Sequence, residues 1–313
     1  MTLVQLEYIV ALDTYRNFVA AAEKCFVTQP TLSMQIQKLE EALGVKIFDR
    51  SKQPVIPTEI GAVIIEQARL ILAETGKLGE LIAEHKQELI GELKVGVIPT
   101  IAPYLLPKIL STFMEKYPKV QLLIWEYTTE QIVQNLKNGL LDCGILSTPL
   151  EEPKLTEVPL FYETFVAYVS PSSPLSSRDR VGAEDLDFDE LWLLNEGHCM
   201  RNQILNICQQ KKRNQAGKHF EYNTGSVETL KRMVDLNYGV TILPELSIAD
   251  FTEDQMRSVR HFRDPEPVRE ISLVMHRNHL KKNAINALRQ EIAGVIPDHM
   301  LSSKRKEIMQ IYN

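Results

Sequence analysis

The chain has only four cysteines in 313 residues, Cys25, Cys143, Cys199 and Cys208. That density excludes a secreted disulfide framework, and no spacing among them matches the interval of about two to four residues between paired zinc ligands. There is no run of about 18 uninterrupted apolar residues, and no basic, apolar and small-residue stretch at the start. The reading is therefore of a cytoplasmic protein in a reducing environment, with no membrane partner. Internal repeats, low-complexity tracts and a glycine-rich phosphate loop are lacking, and nothing requires a metal or a cofactor. Positive charge is not in excess. With 35 Lys and Arg against 41 Asp and Glu, the formal net charge is −6, so any nucleic-acid footprint has to be local. What is present, 44% hydrophobic and 24% charged residues, is ordinary for a globular chain long enough for two or three domains.

Residues 1 to about 58 read as three short helices and a hairpin-like tail. Leu3, Leu6, Ile9, Val10 and Leu12 make one apolar face, and Ala20, Ala21 and Ala22 allow two helices to approach closely. The Phe26-Val27 pair is expected to fill the corner, Thr28 to cap the next helix, and Pro30 to sit in its first turn. This is a helix-turn-helix pattern. On its second helix Leu32, Ile36 and Leu39 share a face. The opposite face shows Gln29, Thr31, Ser33, Met34, Gln35 and Lys38, mostly donors and acceptors suited to base edges and phosphates. The region is not basic overall, but this helix has no acid before Glu40. Arg50, Ser51 and Lys52 cluster beyond it as a local phosphate-binding surface.

From Thr58 to about Ile90 the pattern lengthens. Ile60, Ile64, Ala68, Ile71, Leu78, Ile82 and Leu89 recur at close to a 3.5-residue period, a seam that wants a partner helix. The same helix of a second copy would supply it, and a dimer would present two reading helices to a two-fold DNA site. After Gly91 strands alternate with helices, which predicts a mainly parallel α/β sheet. Two lobes fit the order, one from about 91 to 163 with 268 to 300, the other from about 164 to 267. Residues 301–313, with Lys304-Arg305-Lys306, read as a solvated tail. Thr100, Thr129 and the Gly197-His198-Cys199 turn fall at strand C-terminal ends, where α/β folds bind small ligands.

One stretch asks for chemistry rather than architecture: Asn195 to Cys208, reading N-E-G-H-C-M-R-N-Q-I-L-N-I-C. Cys199 lies between His198 and Arg201, with Gly197 in front and helix-compatible residues behind. A helix N-terminus and a nearby cation favour a nucleophilic thiolate, and Glu196 opposes it. Cys208 follows nine residues later. At about 100° per residue the two would lie on opposite faces of one continuous helix, separated by roughly 13 Å of rise, whereas a disulfide needs Cα atoms within about 7 Å. If they ever join, the helix between them must unwind, which makes the pair a candidate switch rather than a staple. Cys25 and Cys143 read as small buried hydrophobes. Thr100 and Thr129 read equally well as helix caps.

Four segments together resemble the N-terminal signature of the LysR-type transcriptional regulators. They are Phe18-Val19-Ala20-Ala21-Ala22-Glu23, then Gln29-Pro30-Thr31-Leu32-Ser33, then the run from Leu39 to Arg50, and Thr58-Glu59-Ile60-Gly61. The resemblance covers essentially the whole chain. It implies an α/β protein with an all-α N-terminal part: a winged helix-turn-helix domain over 1–58, a long dimerisation linker helix over 59–90, and a two-lobed periplasmic-binding-protein-like regulatory domain over 91–300. It also implies double-stranded promoter DNA as partner, read through Thr28, Gln29, Pro30, Thr31, Ser33, Met34, Gln35, Lys38 and Arg50. A homodimer or homotetramer and contact with RNA polymerase follow from the same resemblance.

Within that family, Gly197-His198-Cys199-Met200-Arg201 followed by Cys208 is similar to the motif of the peroxide-sensing members. By that resemblance Cys199 is the peroxidatic thiol and Cys208 its disulfide partner. Thr100, Thr129, Gly197, His198, Arg201 and His219 would line the peroxide pocket, and a cellular disulfide reductant would reset the switch. Asn202, where these members usually carry an acid, and the basic segment 209–218 depart from the pattern. The expectation is a regulator of oxidative-stress defence genes and not an enzyme. The alternatives are a family member that binds a small metabolite in the inter-lobe cleft, or a thiol peroxidase, for which no Cys-x-x-Cys reductant-docking motif is present.

Overall fold

The computed structural model describes residues 1–85, 89–187, 190–207, 224–237, 239–277, 279, 281–301 and 307–309, without the side chains of 73, 76–85, 307 and 308. Cys208, His219 and the 209–218 segment lie outside the described residues. No helix among those described is long and apolar enough to cross a membrane. The chain divides into two compact units, residues 1–88 and, apart from 278–280, residues 89–313.

In the first unit α1 (Leu3–Tyr15), α2 (Phe18–Lys24) and α3 (Gln29–Leu43) surround an apolar centre. A two-residue hairpin, β1 (Phe48–Asp49) with β2 (Ile56–Pro57), leads into the long α4 (Glu59–His85). Local sequence sets each boundary. Thr2 and Gln5 cap α1 reciprocally, and the Asn17 side chain accepts from the first amides of α2. Thr28 caps α3, with Pro30 in its first turn, and Gly44 ends it at φ +70°. Leu6, Ile9, Leu12, Ala21, Ala22, Leu32, Ile36, Leu39, Ile47 and Phe48 form the core, to which Ile65 and Ala68 of α4 are added. The small-residue contact expected of Ala21 and Ala22 is there.

Phe26 does not fill the corner. It is 94% exposed, with φ 55°, while Val27 packs against the core. The turn between α2 and α3 needs a left-handed residue at this position, and that conformation turns the ring outward.

The second unit begins β3 (Gly91–Val97), α5 (Ala102–Lys116), β4 (Val120–Glu126), α6 (Thr129–Lys137), β5 (Cys143–Thr148) and β6 (Leu155–Val169). It continues β7 (Arg180–Val181), β8 (Leu191–Trp192), α7 (Cys199–Ile207), α8 (Val227–Asp235), β9 (Val240–Pro244), α9 (Glu253–Met256) and β10 (Val259–Phe262). It closes with β11 (Pro267–His276), α10 (Lys282–Val295) and β12 (Glu307–Ile308). The sheet runs β4-β3-β5-β11-β6-β10-β7, with β12 added to β11, and β8 and β9 added beside β6.

The expected mainly parallel sheet is corrected to a mixed one. β3 is parallel to β4 and β5, but β11 is antiparallel to β5 and β6, and β6 is antiparallel to β9 and β10. The reason is topological: the 15-residue β6 carries the chain from one core into another, and β11 carries it back. The first core includes Val95, Ile98, Leu105, Phe113, Ile132, Phe161, Ile271 and Leu288. The second includes Phe165, Tyr168, Ile204, Leu230, Ile242 and Phe262, so β6 changes core between Phe161 and Phe165.

The far end of the chain also differs from the solvated tail read in the sequence. Residues 307 and 308 pair in parallel with Pro267 and Val268 of β11, and the Met309 amide donates to the Val268 carbonyl at 2.7 Å. Met309 packs into the second core. A strand this short is held by what it meets, which local sequence does not report.

Phe26→Asn is expected to raise the stability of the N-terminal unit by about 0.5–1 kcal/mol, because Asn adopts the left-handed region at lower cost than Phe. Urea unfolding of the full chain, followed with a probe in this unit, measures it. An unchanged or lowered midpoint contradicts the strain assigned to this turn.

Candidate redox site and nucleic-acid interface

On α3 the outward residues are those expected. Thr28, Gln29, Pro30, Met34 and Lys38 are exposed, and Thr31, Ser33 and Gln35 are half-buried. Four of them are already engaged: the Thr28 and Thr31 hydroxyls bond at 2.8 Å, Gln35 accepts from Gln5 at 3.2 Å, and Ser33 accepts from Arg50. Arg50 differs most from its reading as a free phosphate ligand. Its guanidinium reaches Glu40 at 3.4 Å and Ser33 at 3.3 Å, and lies over the Phe18 ring.

Glu40, 2% exposed, was not singled out in the sequence. Its carboxylate accepts from the Ile47 and Phe48 amides at 2.9 and 3.3 Å and from Lys46 at 3.2 Å. It anchors the hairpin to α3, and Arg50 is thereby placed beside Ser33 rather than left unpaired. Gly61 completes this corner, since a Cβ there would lie 1.9 Å from the Ile47 carbonyl oxygen.

In the second unit Cys199 is the first residue of α7, preceded by Gly197 at φ 89°. Its side chain is 5% exposed and belongs to the first core, with Ile98, Ile101, Ile132 and Leu246. Met200, Ile204 and Ile207 of the same helix belong to the second core. One short helix thus enters both. A Cβ on Gly197 would touch the Thr128 side chain at 3.8 Å, which places the turn against the start of α6.

His198 sits in a niche that Gly225 keeps open, because a Cβ there would come within 2.8 Å of its Nε2. Burial holds the His198 imidazole below its ordinary value, so it is neutral at neutral pH. The Arg201 Nη1 donates to the Leu194 carbonyl at 2.9 Å and braces the turn before α7.

Thr100 and Thr129 follow the C-terminal ends of the adjacent parallel strands β3 and β4. Neither hydroxyl caps a helix. Thr128 is the N-cap of α6, and the buried Thr129 Oγ1 has no hydrogen-bond partner among the described residues. Thr100 is held by Arg269, whose Nη1 donates to its Oγ1 at 2.9 Å and whose Nη2 donates to its carbonyl at 3.2 Å. A guanidinium only donates, so the Thr100 hydroxyl accepts here and keeps its own proton for another acceptor. Arg269 in turn pairs with Glu163 at 2.7 Å, both side chains fully buried. The second Glu163 oxygen accepts from the Leu246 amide at 2.8 Å.

The sequence reading missed Arg269 and Glu163. The available signal was charge inside two strand segments, Glu163 within Phe161–Phe165 and Arg269, beside Glu270, within Val268–Ile271. Burial pushes the Cys143 thiol up, with Asp142 adding to it, and burial raises Cys25 as well; both behave as packing residues.

A helix-turn-helix unit followed by a two-core α/β unit defines a signal-responsive DNA-binding regulator. Residues 3–62 match the family "Bacterial regulatory helix-turn-helix protein, lysR family", and residues 86–296 match "LysR substrate binding domain". The chain belongs to the LysR family of transcriptional regulators.

Its similarity within that family is to OxyR proteins. The hydrogen peroxide-inducible genes activator of Pectobacterium carotovorum is 36% identical over 300 residues, which cover 96% of this chain and 97% of that one. Full-length OxyR of Pseudomonas aeruginosa, in a cysteine-to-aspartate form, superposes with a TM-score of 0.76 at 35% identity, covering 94% of this chain and 98% of that one. A hydrogen peroxide-bound cysteine-to-serine OxyR mutant of Corynebacterium glutamicum gives 0.59 at 28% identity, covering 94% and 92%.

Two outcomes follow from this geometry. Arg269→Met leaves Glu163 buried without its cation and is expected to cost about 3–5 kcal/mol in urea unfolding; adding Glu163→Leu should restore most of that loss. A double variant as unstable as the single one rejects the charge explanation. For His198 the folded value lies below the unfolded one, so the unfolded state binds more protons through that window and stability falls as pH drops below about 6.5. Thermal unfolding of wild type and His198→Gln between pH 7.5 and 5 checks this, with a flatter dependence expected for the variant.

Proposed function

We propose that this chain is a peroxide-responsive transcriptional regulator in which Cys199 is the sensing thiol and Cys208 its disulfide partner. The observation that carries the reading is the position of Cys199: a nearly buried thiol at the head of a helix shared by two cores, on a turn lying against the start of α6. Hydrogen peroxide offers two O–H donors and two acceptor oxygens. The Thr129 hydroxyl, without a partner among the described residues, and the proton left on Thr100 are groups of the size and polarity to bind it. The two relatives described with hydrogen peroxide in their names support the same ligand.

The chemistry balances without a cofactor. The Cys199 thiolate attacks one peroxide oxygen, the O–O bond breaks, and the leaving hydroxide takes a proton to become water. The Cys208 thiol then displaces water from the sulfenic acid, so two thiols and one peroxide give a disulfide and two waters. Neutral His198 supplies an acceptor for the transferred proton. Nine residues of helix cannot bridge a disulfide, so α7 unwinds when the bond forms. Because α7 serves both cores, its loss remodels the lobe surface. The contacts between regulatory domains and the footprint on promoter DNA change with it.

The DNA-reading residues are those facing outward from α3, Thr28, Gln29, Pro30, Thr31, Ser33, Met34, Gln35 and Lys38. Arg50 supports Ser33 and contributes its remaining donors. Ile60 and Val63 of α4 are exposed apolar side chains, which supports pairing with a second copy and assembly as a dimer or tetramer. RNA polymerase at the promoter and a cellular dithiol reductant complete the cycle, and the chain acts as a regulator rather than as an enzyme.

Mass spectrometry after one equivalent of peroxide is expected to show a rapid Cys199–Cys208 crosslink that is absent from Cys199→Ser. DNase footprints on a target promoter should differ between the two redox states of the wild type. A Cys199→Ser protein that still responds to its inducer would point to a metabolite in the cleft, and peroxide consumption far beyond one equivalent per subunit would point to a peroxidase.

A further inference from the structure

Gln203 stands one helical turn after Cys199 on α7 and is fully buried. Its Nε2 donates to Ser147 Oγ on β5 at 3.1 Å and to the carbonyl oxygen of Met309 at 3.1 Å. A carbonyl can only accept, so the amide must present its nitrogen to Met309. Ser147 Oγ donates onward to the Glu270 carbonyl at 3.1 Å, which leaves it an acceptor toward Gln203. Gln203 Oε1 is buried without a partner among the described residues, so it is the two donors that hold this side chain in place. Met309 is itself fixed by its amide on Val268, next to the residue that carries the Thr100 clamp.

We propose that Gln203 is the positioning residue of the switch: it clasps α7 to the sheet and to the C-terminal strand, so that residues 307–309 set how readily Cys199 and Cys208 join. The inference rests on the disulfide reading above. While α7 is helical, both donors of Gln203 are placed. When α7 unwinds, Gln203 leaves, and Ser147 Oγ and the Met309 carbonyl lose their partner in a buried layer. The clasp therefore stabilises the reduced form alone. By linkage, whatever secures β12 opposes oxidation, and oxidation loosens β12 by the same factor.

The test is the equilibrium of the full chain with glutathione buffers, with the Cys199–Cys208 crosslink scored by mass spectrometry, for wild type, Gln203→Leu and Met309→Pro. Gln203→Leu keeps an apolar side chain of similar volume and removes the donors. Met309→Pro removes the amide that fixes the strand and changes no residue of α7. Each is expected to favour the disulfide about tenfold, a midpoint about 30 mV more negative. Hydrogen exchange should show the Met309 amide opening faster in the oxidised wild type, and already fast in reduced Gln203→Leu. The clasp is overturned if the crosslink forms in all three proteins with one midpoint, even where the variants melt at lower temperature. Absence of any crosslink in the wild type overturns the disulfide reading instead, and the clasp with it.

Discussion

The buried pair of Arg269 and Glu163 is the interaction on which the regulatory unit depends. Both strands that pass between its cores, β6 and β11, carry one of the two charges, and they do so where the chain changes core. Two charges removed from water are tolerated only when each is paired and its remaining polar positions are met. Here the remaining positions are met by Thr100 and the Leu246 amide. The requirement to satisfy a buried guanidinium thus also places a site hydroxyl and orients its proton. Stability and site geometry come from one set of contacts, and neither strand can shift without disturbing both.

α7 lies under the opposite constraint. It is short, it starts at the residue proposed to react, and its side chains are divided between two cores. An isolated helix of this length is not stable, so tertiary contacts decide whether it persists. Its polar anchors, the Arg201 bond to the Leu194 carbonyl and the Gln203 bonds to Ser147 and Met309, are few and directional. A covalent bond between positions that a helix holds apart competes with a small number of interactions. That is the condition under which one disulfide can select a different backbone.

In the N-terminal unit a similar economy places the reading surface. Glu40 has no role toward solvent. Its carboxylate gathers two hairpin amides, Lys46 and Arg50, and so ties the hairpin to α3. Arg50 reaches Ser33 as a consequence. Local positive charge in a chain of net charge −6 is thereby arranged by a buried acid rather than by an excess of basic residues.

Much of this was legible in the order of residues. Capping residues and the 3.6-residue period located α2 and α3, because these depend on neighbours a few positions apart. The spacing around Gly197-His198-Cys199 marked the redox segment, since the conflict between nine helical residues and a disulfide is arithmetic on one stretch of chain. Other features depended on partners that folding brings together, up to 169 residues apart for Arg269 and Thr100. The antiparallel course of β6 and β11, the Arg269–Glu163–Thr100 clamp, the bond of Arg201 to Leu194 and the docking of residues 307–309 were decided by packing. The outward turn of Phe26 was decided by the sign of one backbone angle. The sequence by itself determined where reactive and DNA-facing residues lie along the chain; which charges are buried, which hydroxyls remain available and what holds α7 in place were settled by the tertiary structure, because satisfying a buried polar group is a condition on three-dimensional neighbours.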